Sequence, residues 1–582
     1  MDKLLSNRVV FLSGDEALAQ GAYEEGLRFA ASYPGTPASE ILEYLSCCKG
    51  VDAQWSVNEK VAFEVALGAS IAGWRALYAS KHVGINVAMD PLMTSAYTGV
   101  NAGFVVVTAD DPGIHSSQNE QDNRFIAKFA KIPLIEPSSP AEAREFVKVA
   151  LSLSEEFDTP VLFRLTTRIA HTKENMVIGA RKDIPSREFR VDTEKYVMVP
   201  RNAYQRHIVL EEKLVRLQRY SENTLLNRME LKNKKIGFIT GGVSYLYARE
   251  MYPDASFLKL GLGFPFPERK AKAFAARVKE VVVLEELEPF LEEQARTAGI
   301  RCKTKKASYR IGELRPEYIP DILGGKDKKE DPGRLRKPVM CPGCPHRAVF
   351  TVLKKLKTVV SGDIGCYTLG ALPPMNSLHT CVCMGGGITI MDGMSRALGR
   401  NIAGVIGDST FVHSGITGLI NMVYNKAKGV VIILDNGTTA MTGNQPHPAT
   451  GRTVKKEETA RLRLEELCKA CGVAAVDVID PRNIKVLESG VKKRLEGDVL
   501  SVIIARAPCK LIDRTRTDVP SYQAQKCKKC YLCLEIDCPA LIKEESGLIE
   551  INPLYCTGCG LCAQVCPFKA IGCGGKVFKN LR

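Results

Sequence analysis

The sequence has no apolar run approaching the roughly 20 residues that cross a bilayer, so no membrane-spanning helix is expected. Its amino terminus, MDKLLSNRVVFLSGDEALAQGAY, lacks the long apolar core and small-residue cleavage site of a signal peptide. The expected compartment is the cytoplasm, where the chain's 20 cysteines speak against disulfides. A basic arm is missing as well. Lysine and arginine outnumber the acids by 80 to 65, a formal charge of +15, yet they are spread along the chain. No aromatic-interleaved basic patch stands out, so neither nucleic acid nor a membrane is an expected partner. One small run, Lys526, Lys528 and Lys529, suits the steering of an acidic redox partner and a plain solvated surface equally. What remains is ordinary for a globular protein: 45% hydrophobic and 25% charged residues in 582 positions. That length has room for roughly four domains at about 150 residues each.

Strand and helix signals alternate from residue 14 to 168. Strands are expected at Val51–Val57, Ala76–Ser80, Phe104–Val107 and Val161–Leu165, with a small-residue helix over Lys60–Ala72. The alternation predicts an α/β fold with a doubly wound, mostly parallel sheet. Residues 171–235 are polar and read as a linker plus a packing helix near Ala203–Glu222. A second α/β unit follows, with strands Lys235–Thr240 and Glu280–Leu284 and then an acidic helix. The charged, glycine- and proline-bearing stretch 324–338 reads as a domain linker, and a third α/β block runs from about 339 to 510.

Two cysteine combs close the chain, and they are its one internal repeat. The first runs Cys527-x2-Cys530-x2-Cys533-x4-Cys538-Pro539 and the second Cys556-x2-Cys559-x2-Cys562-x3-Cys566-Pro567. They look like a bacterial-type ferredoxin module with two [4Fe–4S] clusters, in which the Cys before Pro ligates the opposite cluster. That logic puts Cys527, Cys530, Cys533 and Cys566 on one cluster, and Cys538, Cys556, Cys559 and Cys562 on the other. The competing readings are a pair of zinc sites or a disulfide knot; zinc usually takes two separated pairs of ligands. The first comb has four residues before Cys538 where the common form has three.

In the third block, Val405-Ile406 ends a strand at Gly407-Asp408, and Val430–Leu434 ends one at Asp435-Asn436. Ile416, Leu419, Ile420 and Val423 have helical spacing between them. A parallel strand–helix–strand unit brings both strand ends to one sheet edge, where ligands of such sheets bind. Asp408 and Asn436 are hard oxygen donors suited to Mg²⁺ beside a phosphate. The pattern resembles the thiamine diphosphate motif, which places Asp408, Asn436 and Thr438 on the metal, although Ser409 stands where glycine is common. The alternative is a strand-end Asp and a turn Asn with no ligand. Glu59, at a strand-to-helix junction, is the candidate for the glutamate that such enzymes set against the aminopyrimidine. An acid favoured at a helix start is the alternative.

Together with SYPGTPASE (32–40), NEKVAFEVALGAS (58–70), KHVGINVAMDP (81–91), DDPGIHSSQNEQD (110–122), CPGCPHR (341–347), GDIGCYTLGALPP (362–374) and TAMTGNQPHPATG (439–451), these features resemble the large subunits of indolepyruvate:ferredoxin oxidoreductases. These belong to the thiamine diphosphate-dependent 2-oxoacid:ferredoxin oxidoreductases. The resemblance spans nearly the whole chain. It implies a pyrimidine-binding domain over 1–180, a linker helix and transketolase C-terminal-like domain over 181–323, a diphosphate and Mg²⁺ domain over 339–510, and a two-cluster ferredoxin domain over 520–582. It places Thr36 near substrate or cofactor and Cys366 at the thiazolium. It assigns no metal to Cys341 and Cys344, and it leaves His447 between substrate contact and an inert turn. Asn444 departs from the histidine common there.

The implied reaction converts an arylpyruvate (indolepyruvate, phenylpyruvate or 4-hydroxyphenylpyruvate), coenzyme A and two oxidised ferredoxins to an aryl-acetyl-CoA, carbon dioxide and two reduced ferredoxins. The implied cofactors are thiamine diphosphate, Mg²⁺ and two [4Fe–4S] clusters. The implied partners are a smaller β subunit, in a heterodimer or dimer of heterodimers, and ferredoxin. Pyruvate or 2-oxoglutarate as substrate is the nearest rival, and a non-enzymatic electron-transfer subunit is another.

Overall fold

The computed structural model describes residues 8–329 and 338–572. Of the expected linker 324–338, residues 330–337 lie outside the described residues. The chain divides into two compact units, 1–332 and 333–582.

The first unit is built on a seven-stranded sheet in the order Leu262–Phe264, Leu134–Ile135, Val161–Thr166, Phe104–Asp110, Ala76–Lys81, Phe29–Ser32, Asp52–Trp55. All neighbours are parallel except Leu262–Phe264, an antiparallel edge. Its central strands Phe104–Asp110 and Val161–Thr166 are buried throughout, as a parallel sheet covered on both faces requires. The four expected strands form with ends shifted by a few residues. Helix Glu59–Ile71 begins where Asn58 accepts the Val61 N–H on its side chain at 2.9 Å, a cap that fixes the helix start. Phe29–Ser32 is a strand the pattern does not announce. Its residues, Phe-Ala-Ala-Ser, are buried throughout, and three of the four are small, with no alternation to read.

The stretch after residue 171 is more than a linker. Lys173–Val177 pairs antiparallel with Val9–Ser13 because Met176 and Ile178 bury against Leu12 and Ala17. The packing helix forms over Pro200–Asn223. A four-stranded sheet follows, ordered Glu280–Leu284, Ile236–Gly241, Ser256–Leu260, Asn227–Glu230.

A buried charge network holds this unit together. Arg164 donates to Asp110 at 2.6 Å and to Glu136. Arg124 donates to Asp122 at 2.5 Å, to Glu285 at 2.7 Å, and to the carbonyls of Glu286 and Glu288 at 2.8 and 3.0 Å. Arginine suits the task because its fork satisfies several acceptors at once. These contacts join the seven-stranded sheet to the end of strand Glu280–Leu284.

In the second unit the six-stranded sheet runs Thr380–Cys381, Val360–Gly362, Ala403–Gly407, Gly429–Asp435, Leu500–Arg506, Ala475–Ile479, all parallel. The helix after Asp408 is Ile416–Tyr424, reached through a wide turn at Phe411–Gly415. The cysteine combs sit among short pieces, with the hairpin Leu541–Lys543/Ile549–Ile551, the pair Ser521–Tyr522/Ile571–Gly572 and the helix Leu561–Val565. They pack on the six-stranded domain: Ile536 and Leu561 share its core with Ala348 and Val349, and Gln564 bonds Ile484 N–H and Arg482 O at 3.1 and 2.7 Å. Among the described residues no helix is long and apolar enough to cross a membrane.

Burial lifts the Glu286 carboxyl from 4.5 to about 7, against the pull of Arg164. A carboxyl raised in the folded state binds more protons there than when unfolded, so its contribution is full below 4.5 and is lost as pH rises towards 7. Glu286→Gln should therefore gain stability over the parent as pH rises from 4.5 to 7, by up to about 3 kcal/mol. Melting curves of both proteins across that range test this; a difference that does not change with pH would contradict it.

Candidate functional site

Strands Ala403–Gly407 and Gly429–Asp435 are in register with Gly407 beside Leu434, so the residues that follow meet at one sheet edge. Asp408 Oδ2 accepts the N–H of Gly437 at 2.8 Å and of Asn436 at 3.2 Å, and Oδ1 accepts that of Ser409 at 2.8 Å. Gly437, at φ +73°, adopts the left-handed turn that aims successive N–H groups at one carboxylate. Asn436 Oδ1 accepts the Thr438 N–H at 3.0 Å. All three expected metal-site residues are buried. Burial pushes the Asp408 carboxyl up, but His447 and the N–H groups of Ser409 and Gly437 outweigh it, and it stays below its ordinary value. A buried, ionised carboxylate beside amide and carbonyl oxygens fits Mg²⁺.

Two histidines flank this pair. His447 Nε2 lies 3.3 Å from Asp408 Oδ2, but neither ring nitrogen is aligned for a hydrogen bond. His346 Nε2 is 3.4 Å from Asn436 Nδ2, and burial, opposed by Asp408, drives its pKa down to about 4. A neutral imidazole therefore accepts from the Asn436 amide at pH 7.

Asp363, at the end of the neighbouring strand Val360–Gly362, accepts the N–H groups of Ile364, Gly385 and Gly387 at 2.7, 3.1 and 2.8 Å. Burial raises it to about 6. It secures the glycine turn that opens helix Gly386–Leu398, where a Cβ on Gly387 would meet the Gly362 backbone at 2.8 Å. Three glycines in a row at the start of a helix are the sequence signal that points to this turn. Cys366 begins a short turn over Cys366–Ala371. Cys341, Cys344 and Cys509 lie in the same neighbourhood. Cys509 donates its N–H to Asn436 O at 3.0 Å, and the Cys341 carbonyl accepts from Arg347 at 3.1 Å. Burial, with the neighbouring sulfurs adding to it, pushes the Cys366 thiol up to about 11 and the Cys344 thiol up to about 12. Nothing in the spacing of these residues announces that Cys509 joins the others.

The eight comb cysteines line two cavities of the second unit. One is lined by Cys538, Cys556, Cys559 and Cys562, together with Gly343 and Arg347. The other is lined by Cys527, Cys530, Cys533 and Cys566. Each cavity thus takes three cysteines from one comb and the Cys-Pro cysteine from the other. A single metal ion needs its donors about 2.0–2.3 Å away. Among the described residues no three His, Cys, Asp or Glu side chains form such a group. Four thiols facing one space are the donor set of an iron–sulfur cube.

In the first unit, buried Glu59 opens helix Glu59–Ile71 just beyond strand Asp52–Trp55. A Cβ on Gly84 would meet the Glu59 carboxylate oxygen and Cγ at 2.8 Å and Ser80 Cβ at 2.9 Å, so only glycine leaves room for this side chain. The PGTP turn follows strand Phe29–Ser32, and the Thr36 carbonyl accepts from Ser116 Oγ at 3.5 Å. Ser116 belongs to the 110–122 loop, where Asp111 gathers Ser116 N–H, Ser117 Oγ and Thr167 Oγ1 at 2.9, 2.5 and 2.7 Å. Lys81 bonds the Ser116 carbonyl, and burial brings its pKa down to about 8 despite Asp111. Thr36, Lys81 and Asp111 therefore share one end of the parallel sheet, the edge where Glu59 also stands.

Three family models match the chain. Residues 20–235 match the thiamine diphosphate-binding domain of pyruvate flavodoxin/ferredoxin oxidoreductases. Residues 363–505 match the C-terminal thiamine pyrophosphate-binding domain of thiamine pyrophosphate enzymes, and residues 549–572 a 4Fe–4S binding domain. The indolepyruvate oxidoreductase subunit IorA of Archaeoglobus fulgidus is 39% identical over 97% of both chains. That of Pyrococcus abyssi is 39% identical over 96% of both. The 2-oxoglutarate synthase subunit KorA of A. fulgidus is 26% identical and matches 54% of this chain. With identity of this order along almost the full length of both sequences, the chain belongs to the indolepyruvate oxidoreductase IorA-subunit family of thiamine diphosphate-dependent 2-oxoacid oxidoreductases.

Proposed function

We propose that this chain oxidises arylpyruvates with coenzyme A, passing the electrons one at a time to ferredoxin through two [4Fe–4S] clusters. The carbon–carbon bond to the carboxylate breaks and a carbon–sulfur bond to coenzyme A forms. Carbon dioxide and one proton leave, and two electrons pass to two ferredoxins. The observation that carries this reading is the sorting of the eight comb cysteines into two four-cysteine cavities. A two-electron oxidation that feeds one-electron carriers needs such a store. The relatives' names support indolepyruvate over 2-oxoglutarate: the IorA subunits match along nearly the whole chain and KorA along about half. Because those relatives are named as subunits, a smaller second subunit completes the enzyme.

Thiamine diphosphate, when bound, supplies the electron sink for loss of carbon dioxide from a 2-oxo acid. Asp408, Asn436 and the Thr438 carbonyl hold Mg²⁺ on its diphosphate. Glu59 holds a proton against a ring nitrogen of the aminopyrimidine, and Gly84 preserves the space in which that carboxyl sits. Thr36 and Cys366 border substrate and cofactor.

Anaerobically purified protein should carry about eight irons and eight labile sulfides per chain. Cys566→Ala should damage the cluster of Cys527, Cys530 and Cys533 and spare the one held by its own comb. A content near four, zinc in place of iron, or damage confined to the second comb's cluster would refute the assignment. A content near twelve would mean that Cys341, Cys344, Cys366 and Cys509 hold a cluster as well.

Glu59→Gln should keep its clusters and its affinity for thiamine diphosphate while turnover falls by at least about a thousandfold, within the range that removal of a general acid–base produces. Asp408→Ala should instead lose cofactor affinity, measured by calorimetry with Mg²⁺ present, and recover part of its turnover at high cofactor. Near-normal turnover of Glu59→Gln at saturating cofactor would remove Glu59 from the chemistry.

Phenylpyruvate should exceed pyruvate in kcat/KM by at least about a hundredfold, since burial of an aromatic ring is worth a few kcal/mol. The comparison is made with coenzyme A, a viologen acceptor and the smaller subunit present. Equal values, or a preference for pyruvate, would exclude arylpyruvate specificity.

A further inference from the structure

A lysine at the ligand edge of the first unit's sheet lacks a counter-ion. Lys81 ends strand Ala76–Lys81, and its half-buried ammonium donates to the Ser116 carbonyl. Among the described residues no carboxylate lies within ion-pair distance of it. Asp111 acts on it from farther off, and that carboxylate is already engaged by Ser116 N–H, Ser117 Oγ and Thr167 Oγ1. Two other lysines that burial brings down to about 8 are compensated where they stand. Lys259 pairs with Glu142. Lys305 donates to the carbonyls of Glu285 and Leu287, each at 2.6 Å, with the Glu285 carboxylate pulling its pKa back up. Lys81 has one neutral acceptor for three N–H donors.

The segments around Lys81 hold it in place. The PGTP turn closes on its stem: a Cβ on Gly35 would stand 3.1 Å from Lys81 Cβ, and Ser39 Oγ accepts the Gly35 N–H at 3.0 Å. The 110–122 loop is stitched to the residues that follow the lysine. Asn119 meets His82 at 2.9 Å, and Gln121 donates to Asn86 at 2.8 Å. The residue before the lysine, Ser80, converges with the Glu59 carboxylate on Gly84, at 2.9 and 2.8 Å from the place a Cβ would take. One peptide step therefore separates Lys81 from the space that Gly84 keeps open for Glu59. A cation withdrawn from water without a counter-charge carries a desolvation cost, and an arriving anion offsets it.

On the reading of the function given above, we propose that Lys81 receives the carboxylate of the 2-oxo acid and so selects the acid over its neutral analogues. Every substrate of this class carries one carboxylate beside its 2-oxo group, whatever its aryl part. A single charge fixed at the sheet edge serves them all and leaves the aryl part to be chosen elsewhere. An ammonium suits the task because its donors turn freely about one point charge. The contact belongs to the ground state. When the carbon–carbon bond breaks, its electron pair stays with the substrate carbon, the carboxylate leaves as neutral carbon dioxide, and the ion pair with Lys81 ends. The lysine stays protonated and exchanges no proton. Binding that is not strengthened in the transition state acts on KM and leaves kcat nearly unchanged.

The test uses the complete enzyme with its smaller subunit. Lys81→Gln keeps a donor for the Ser116 carbonyl and removes the charge; Lys81→Arg keeps the charge. In Lys81→Gln the KM for phenylpyruvate should rise at least about thirtyfold, the order that loss of one charge-assisted hydrogen bond produces, with kcat within about threefold of the parent. Lys81→Arg should recover most of the loss, and the KM for coenzyme A should not move in either variant. Calorimetry without turnover compares 3-phenylpropanoate with 3-phenylpropanamide. The parent should bind the acid more tightly than the amide, and Lys81→Gln should lose that preference while its affinity for the amide stays. An unchanged KM for phenylpyruvate, or a parent that binds the amide as well as the acid, would overturn the proposal. A rise confined to the KM for coenzyme A would do the same, and would give the lysine to that molecule's phosphates. A parent that turns over no 2-oxo acid would sink the functional reading instead, and the acid-against-amide comparison would still decide whether Lys81 holds a carboxylate.

Discussion

Strands that all run one way end on one edge of their sheet, and the groups expected to hold the thiamine cofactor depend on that constraint. In the second unit it brings Asp363, Asp408 and Asn436 to adjoining strand ends, although they lie far apart in sequence. In the first unit it does the same for Thr36, Glu59, Lys81 and Asp111. Helices starting at those edges turn their free N–H groups towards the same space. Asp363 accepts such an N–H from Gly387, and Asp408 accepts the turn N–H of Gly437.

Burial then sorts these groups by charge state. Desolvation opposes ionisation in every one of them, and the outcome depends on how many donors each acid collects. Asp408 has His447 and backbone N–H groups around it and remains ionised. Asp363 collects three N–H groups and is still raised to about 6. His346, buried with only the opposing pull of Asp408, has its pKa driven down to about 4 and is neutral at pH 7. A carboxylate kept charged next to an imidazole kept uncharged is an arrangement that accepts a divalent cation without a competing positive charge from His346.

Local pattern made much of this legible. The second comb was legible in its spacing, since a cube wrapped by one loop demands two-residue gaps, and residues 549–572 match a 4Fe–4S binding domain. The Gly407-Asp408 and Asp435-Asn436 strand ends were readable because each follows an apolar run that can only be a buried strand. Phe29–Ser32 was not, since a strand covered on both faces needs no alternation and small residues carry no β signature. Leu262–Phe264 was not either: its partner, Leu134–Ile135, lies more than a hundred residues earlier, and an edge of three residues leaves no pattern. The convergence of Cys509 with Cys341, Cys344 and Cys366 is of the same kind. Cys341 and Cys344 share one turn, Cys366 and Cys509 belong to others, and only the assembled sheet brings them together.

Arg347 shows what a sequence motif cannot say for itself. In CPGCPHR the eye falls on the cysteines, and the pair Cys341 and Cys344 invites a metal reading that spacing cannot decide. The arginine looks like an ordinary helix-start residue. Once folded it is among the largest fully buried side chains of the protein, and a buried guanidinium leaves a heavy penalty unless its N–H groups find acceptors. Four backbone carbonyls supply them, two from its own segment and two from the stretch leading into Cys538. The four-residue gap before Cys538 contains Ile536 and Asp537, whose carbonyls are the two on the far side. The departure from the common comb spacing therefore falls on the stretch that anchors the module. The additional residue of this loop lies in a stretch whose carbonyls are bound to Arg347 of the diphosphate domain.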